Sequence, residues 1–233
     1  MHKGGITMIY AATNGPATLI VEPDTDPVDP RVDCEPFGHL VCWHRRYFLG
    51  DGHHYETPWD CLRELCSGCV QDSDALDDMS IDELKAVLAR QLDLVILPVY
   101  LYDHSGLAMS TGSFLGRAPH ADWDSGQVGY IYATREDILR AFGDITPETV
   151  KRAREALEAE VRDYDAFLRG DCWGYRTYMY GREMDACWGF LGDIDEVKPV
   201  IATCLAPGWD SLVDKLEPHH QSAKEYLYDT SVA

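Results

Sequence analysis

LVILPVYLYD, residues 94–103, constrains the fold of this chain more than any other segment. It is apolar at odd and even positions alike and rich in β-branched and aromatic residues, the pattern of a strand covered on both sides. Pro98 lacks the N–H that a sheet ladder needs, so an edge, a bulge or a terminus is expected there. The run is far shorter than the ~20 apolar residues that cross a bilayer, and no other window in the sequence approaches that length. QVGYIYAT at 127–134 is the expected antiparallel partner, joined to it by a long Gly-containing loop at 104–126.

Other elements follow from local signals. ATLIVEP at 17–23 reads as a strand ending at Pro23, followed by the Pro- and Asp-rich loop DTDPVDPR at 24–31, whose acids either gather around a cation or face water. HLVCWHRRYFLGD at 39–51 reads as a second strand ending in a Gly-Asp turn. Thr57-Pro58 with Asp60 opens one helix, and the capping box Ser80/Glu83 opens the next, with Leu84, Val87 and Leu88 as its buried stripe. Thr134 and Asp137 cap a short helix that Gly143 ends. Thr146-Pro147 opens the longest helix. Val150, Ala153, Leu157, Val161, Tyr164 and Leu168 recur along it at helical spacing, and Gly170 stops it. Residues 172–193 read as a hairpin turning at Gly181-Arg182-Glu183.

Strands and helices mix without regular βαβ alternation, so the fold class is α+β: an antiparallel or mixed sheet with helices packed on it. With 233 residues the chain suits a single compact domain. We assign it to residues 17–233 after an N-terminal segment 1–16, with an acidic helical insertion at 57–93 and C-terminal helices at 194–230.

Charge is the most distinctive bulk property. Forty Asp and Glu stand against 20 Lys and Arg, a net charge of −20. Such a surface repels nucleic-acid phosphates and anionic membranes, so the partner expected is a basic protein, with no direct nucleic-acid or membrane binding. Residues 51–90 alone carry ten acids and three bases. Asp72, Asp74, Asp77, Asp78 and Asp82 are the candidate contact residues there. The N-terminus lacks the long apolar core of a secretory signal, so the host-cell cytoplasm is the expected location.

Several constellations invite a chemical reading. Cys66 and Cys69 have zinc-chelating spacing, with Cys61, His53 and His54 nearby, but no second ligand pair follows. These cysteines therefore read as thiols on a helix face. Asp103 and His104 in YDHSG, with Asp122 and Asp124 in DWDSGQ, offer a divalent-metal set for hydrolysis, with Arg45 and Arg46 to hold phosphate. The plainer reading makes 122–125 a self-bonded loop with Trp123 covering the core, and gives Arg45 and Arg46 internal carboxylates to neutralise. If 99–105 stays extended, Asp103 and Ser105 share one face and His104 takes the other, which precludes a serine relay among the three. No phosphate-binding Gly-rich loop is present.

Taken together, DTDPVDPR, GHLVCWHRRYFLGD, VILPVYLYDHSGLAMST, WDSGQVGYIYATREDI, YDAFLRGDCWGY and DACWGFLGD resemble, in this order, an uncharacterised family of phage, prophage and plasmid accessory proteins. The resemblance covers most of residues 17–193. It implies no mechanism and no catalytic residue. It does imply a mobile-element context, in which small acidic proteins often counter host defences such as CRISPR and restriction systems. The expected function is a non-enzymatic inhibitor that binds a defence component, an anti-CRISPR role with possible nucleic-acid mimicry and no cofactor. Arg45, Arg46 and Trp123 join the acidic residues as its candidate binding set. The alternatives are the metal-dependent hydrolase or nuclease above, with a divalent ion as its cofactor, and a structural or regulatory homo-oligomer.

Overall fold

The computed structural model describes residues 8–68, 70, 73–91 and 93–232. The fold is α+β, with two antiparallel sheets and helices packed on them. The chain gathers into two compact units, one from the residues up to Val28 together with those from Ala166 onward, the other from Asp29 to Asp165.

The first unit holds a five-stranded sheet. Its strands are β1 (Met8–Asn14), β2 (Ala17–Pro23), β7 (Cys172–Met179), β8 (Arg182–Leu191) and β9 (Glu217–His220), in the order β8-β7-β2-β1-β9. The strand at 17–23 is where the sequence places it. β1 lies inside the segment assigned to 1–16, and β9, which contains Pro218, lies among residues assigned to helices. Both exist through pairing: Tyr10 faces Val21 on one side and Pro218 on the other. Alternation sorts β1 and β2 into two cores. Ala12, Leu19 and Val21 join Trp173 and Tyr175 beneath α6 (Ile194–Cys204) and a 3₁₀ helix at Asp210–Lys215. Ile9, Ala11 and Ile20 face the opposite way, against Tyr178 and Tyr226 of α7 (Ala223–Val232).

The β7–β8 hairpin turns at Tyr180-Gly181, slightly before the expected position. Both residues have positive φ (52° and 72°), the backbone whose twist matches a two-residue hairpin. β8 is a sheet edge, and its pairing with β7 shifts register at two places.

The second unit holds a four-stranded sheet in the order β3-β6-β4-β5, formed by β3 (His39–Cys42), β4 (Val95–Asp103), β5 (Leu107–Ser110) and β6 (Ser125–Ala133). Among the described residues, five α-helices lie wholly or mostly in this part of the chain: α1 (Pro58–Ser67), α2 (Ile81–Leu88), α3 (Ala121–Asp124), α4 (Arg135–Phe142) and the long α5 (Pro147–Arg169). Helices α1, α2 and α4 begin at capping boxes on Thr57, Ser80 and Thr134, as the sequence indicates. α4 ends at Gly143, whose φ of 84° is the left-handed conformation that stops helices.

The second strand is shorter than HLVCWHRRYFLGD suggests. It stops at Cys42, and the chain returns only as a bridge from Gly50 to Val41. Gly129, opposite Cys42, is held close: a Cβ there would lie 2.1 Å from the Val41 carbonyl oxygen. α1 and α2 cover the sheet face that carries Val41, Tyr130 and Tyr132, using Leu62, Cys66, Leu84 and Leu88. α5 buries Ala153, Leu157 and Val161, and Leu157 packs so closely at Gly38 that no Cβ fits there.

β4 departs from the reading of a strand covered on both sides. Val95, Leu97, Val99 and Leu101 are buried, whereas Ile96, Pro98, Tyr100 and Tyr102 are only partly so. β5 pairs with Tyr100–Asp103 alone. Among the described residues, no strand lies beside Val95–Val99 on the side away from β6. Pro98 thus sits on an edge stretch, and the ladder with β6 slips one residue later, between Val99 and Tyr100.

One polar core in this unit has no sequence signature. Arg31, 7% exposed, donates through Nε and Nη2 to both oxygens of Asp51 at 2.8 Å. Its Nη1 donates to Glu160 on α5 at 2.7 Å, and its Nη2 also reaches the Gly38 carbonyl at 2.8 Å. The carboxylates are themselves held by backbone: Asp51 accepts from Leu40 N, and Glu160 from Phe37 N and Gly38 N. Burial disfavours the guanidinium charge, but hydrogen bonds and attraction from Asp51 and Glu160 outweigh it and keep Arg31 protonated.

No helix among the described residues is long and apolar enough to cross a membrane.

Candidate functional site

The two loops singled out in the sequence meet. β4 and β6 pair as far as Tyr102 opposite Ser125, which sets the start of YDHSG beside the start of DSGQ. His104, Ser105 and Gly106 form the tip of a hairpin, because Asp103 pairs with Leu107 of β5. The strand does not continue through Ser105, so the facing arrangement expected for 103–105 does not arise. Residues 121–124 are a single helical turn rather than an extended stretch, and therefore Asp122 and Asp124 do not share a strand face.

Side chains then sort into two pairs. His104 Nδ1 lies 2.8 Å from Asp124 Oδ2. The His104 ring stacks on Tyr102 and on His120, at centroid distances of 5.8 and 5.6 Å. His120 precedes the helical turn with φ of 55°, a conformation uncommon for a side chain with a Cβ. The Tyr102 hydroxyl donates to the Pro119 carbonyl at 2.9 Å, and its ring stacks on Phe114. The second pair is Asp103 with Arg46, at 3.2 Å, reinforced by the Tyr47 hydroxyl, which donates to the same carboxylate oxygen at 3.3 Å. Arg46 thus pairs with Asp103 while remaining exposed, and Arg45 is exposed as well.

The proposed metal quartet is consequently divided. Asp103 faces Arg46, Asp124 faces His104, and Asp122 points to solvent. Among the described residues, no group of three or more His, Cys, Asp or Glu is placed to hold a metal ion. The Ser125 hydroxyl donates to the Ala121 carbonyl and so closes the helical turn. Chemically, the His104–Asp124 pair orients an imidazole, and the ring's recorded neighbours are aromatic faces rather than a nucleophile.

Trp123 does not cover the core: it is 89% exposed. Phe48, next to Tyr47, is fully exposed as well. These two rings are adjacent in sequence to residues of the paired cluster, Asp124 on one side and Tyr47 on the other.

Of the acidic candidates, Asp72 lies outside the described residues. Asp74, Asp77, Asp78 and Asp82 are exposed along the 3₁₀ turn at 74–76 and the start of α2. Arg63 neutralises Asp77 at 2.6 Å, and Lys85 reaches Asp82 only at 4.0 Å.

The cysteine group also separates. Cys61 and Cys66 are fully buried on α1, and burial, with the nearby Glu64 charge, pushes the Cys61 thiol up to about 12. The Cys66 thiol donates to the Leu84 carbonyl at 3.4 Å. His53 turns to the Cys42 carbonyl and His54 to Glu64. Cys69 lies outside the described residues.

Comparison with protein-family models, curated proteins and solved structures gave no match to the chain. The exposure of Phe48 was not legible in the sequence, where it stands in a segment that reads as strand.

Proposed function

We propose that this chain is a non-enzymatic, acidic binding protein of a mobile element, and that it occupies the basic nucleic-acid channel of a host defence nuclease. The observation that carries this reading is the pair of exposed rings, Phe48 and Trp123, next to a cluster whose own charges are already paired. Large rigid aromatics of this kind are the residues that anchor protein interfaces. Exposed Asp74, Asp77, Asp78 and Asp82 supply the long-range attraction to a basic surface, which acts mainly on the association rate. The net charge of −20 and the mobile-element resemblance support the same partner class.

The test uses a purified RNA-guided nuclease with its DNA substrate, and measures inhibition of cleavage across a salt series. Phe48→Ala with Trp123→Ala should weaken inhibition at least about tenfold, since two anchors at ~1 kcal/mol or more each amount to that. Reversing the four aspartates to Lys should slow association and flatten the salt dependence. Full inhibition by the charge-reversed protein would sink the reading.

Self-association is a second reading, favoured by β8. That strand offers a ten-residue sheet edge with Met184 and Trp188 exposed. Light scattering on the purified protein decides between monomer and dimer.

A further inference from the structure

The partly buried face of β4 opens onto a cleft of about 450 Å³, within the size range of small-molecule sites. Its floor is Ile96, Pro98 and Tyr100, with Tyr130 of β6 beside them, and Leu88 of α2 and Val150 of α5 form apolar walls. It exists because β5 stops at Tyr100, which leaves the edge of β4 uncovered by any strand among the described residues.

The charge of the lining runs against the rest of the protein. In a chain with twice as many acids as bases, the cleft is lined by Lys85 and Arg154 and by no Asp or Glu among the described residues. Lys85 Nζ stands 5.7 Å over the Tyr130 ring. Of the acids nearby in the chain, Asp93 pairs with Arg135 at 3.2 Å and Glu155 with Lys151 at 3.6 Å, while Asp82 lies 4.0 Å from Lys85 Nζ. Gln127 adds an amide at the rim.

We propose that this cleft binds a small amphipathic anion, an apolar aromatic or short aliphatic body bearing one carboxylate-like group. The body lies on Ile96, Pro98, Tyr100 and Tyr130, and the anionic group is held between Lys85 and Arg154. On a protein this negative, an anion binds only where cations are locally concentrated, and at ordinary salt exposed charges more than about 10 Å away are largely screened.

Anilinonaphthalene sulfonate is the probe, with phenylnaphthylamine as its uncharged counterpart, and fluorescence titration of the whole chain is the readout. One saturable sulfonate site is expected. Lys85→Glu with Arg154→Glu should weaken the sulfonate at least tenfold and leave the uncharged probe within twofold. Val150→Trp, which fills the cleft while keeping both bases, should remove both probes, and circular dichroism checks that each variant is folded. Absence of a saturable sulfonate site overturns the proposal. So does binding that survives Val150→Trp, or an equal loss of both probes in the charge variant.

Discussion

Replacing Arg31 by Met tests the polar core directly. The guanidinium side chain is 2% exposed and makes four hydrogen bonds, three of them to carboxylates. Removing it leaves Asp51 and Glu160 facing each other's charge without a cation, and breaking a buried pair in this way costs about 3–5 kcal/mol. The side chains of Asp51 and Glu160 retain 23% and 18% exposure, and both keep backbone N–H donors. Water and those donors compensate part of the loss, which places the expectation near the lower end, about 3 kcal/mol. At 2–4 °C per kcal/mol for a protein of this size, the melting temperature should fall by roughly 6–12 °C. Urea unfolding followed by circular dichroism is the assay, and all three side chains lie within residues 29–165. The triple change Arg31→Met, Asp51→Asn, Glu160→Gln should recover most of it, because the penalty arises from stranded charges rather than from lost packing. A loss below about 1 kcal/mol for Arg31→Met would refute this account of the network.

Two further outcomes follow from particular side chains. Burial opposes the Asp137 charge, but hydrogen bonds from Thr134 and the proximity of His39 prevail and hold its carboxyl below the usual range. A depressed folded value stabilises above the unfolded pKa of about 3.9 and is lost as pH falls through the folded value. The stability gap between wild type and Asp137→Asn should therefore shrink as pH falls below about 5, as read by unfolding at a series of pH values. Gly38→Ala places a Cβ 2.1 Å from Leu157 Cδ2, in a core where Leu157 is fully buried. It should cost about 1–3 kcal/mol by overpacking, measured by thermal melting.

What could be read from the sequence was what is decided locally. Thr57, Ser80 and Thr134 announce their helices because each cap is closed by a residue three positions away. β9 went unread because its partner β1 lies some 200 residues earlier in the chain, and Pro218 argues against a strand unless it sits on an edge. Apolar composition on both faces of β4 signals that each avoids water, but not whether helices or a cleft receive it. The residues of the paired cluster stood out in the sequence, but their pairing did not. His104 meets Asp124 through the register that sets Tyr102 opposite Ser125, and that register depends on a slip between Val99 and Tyr100, which Pro98 hints at without fixing its place. Arg31 sits in a Pro- and Asp-rich loop, where composition suggests solvent. Its burial depends on Glu160, more than a hundred residues later.

The strand order of the five-stranded sheet sets a timetable for synthesis. β1 and β2 leave the ribosome well before β7, the strand that flanks β2, which begins only at Cys172, about 150 residues later. At 5–20 residues per second the nascent hairpin waits roughly 7–30 s for that neighbour, and an isolated hairpin is only marginally stable in water. Residues 29–165 emerge during the interval with all the strands of their own sheet. β1 and β2 thus wait longest for a complete sheet of their own, and while they wait Ile9, Leu19, Ile20 and Val21 are the residues most in need of shelter from other chains.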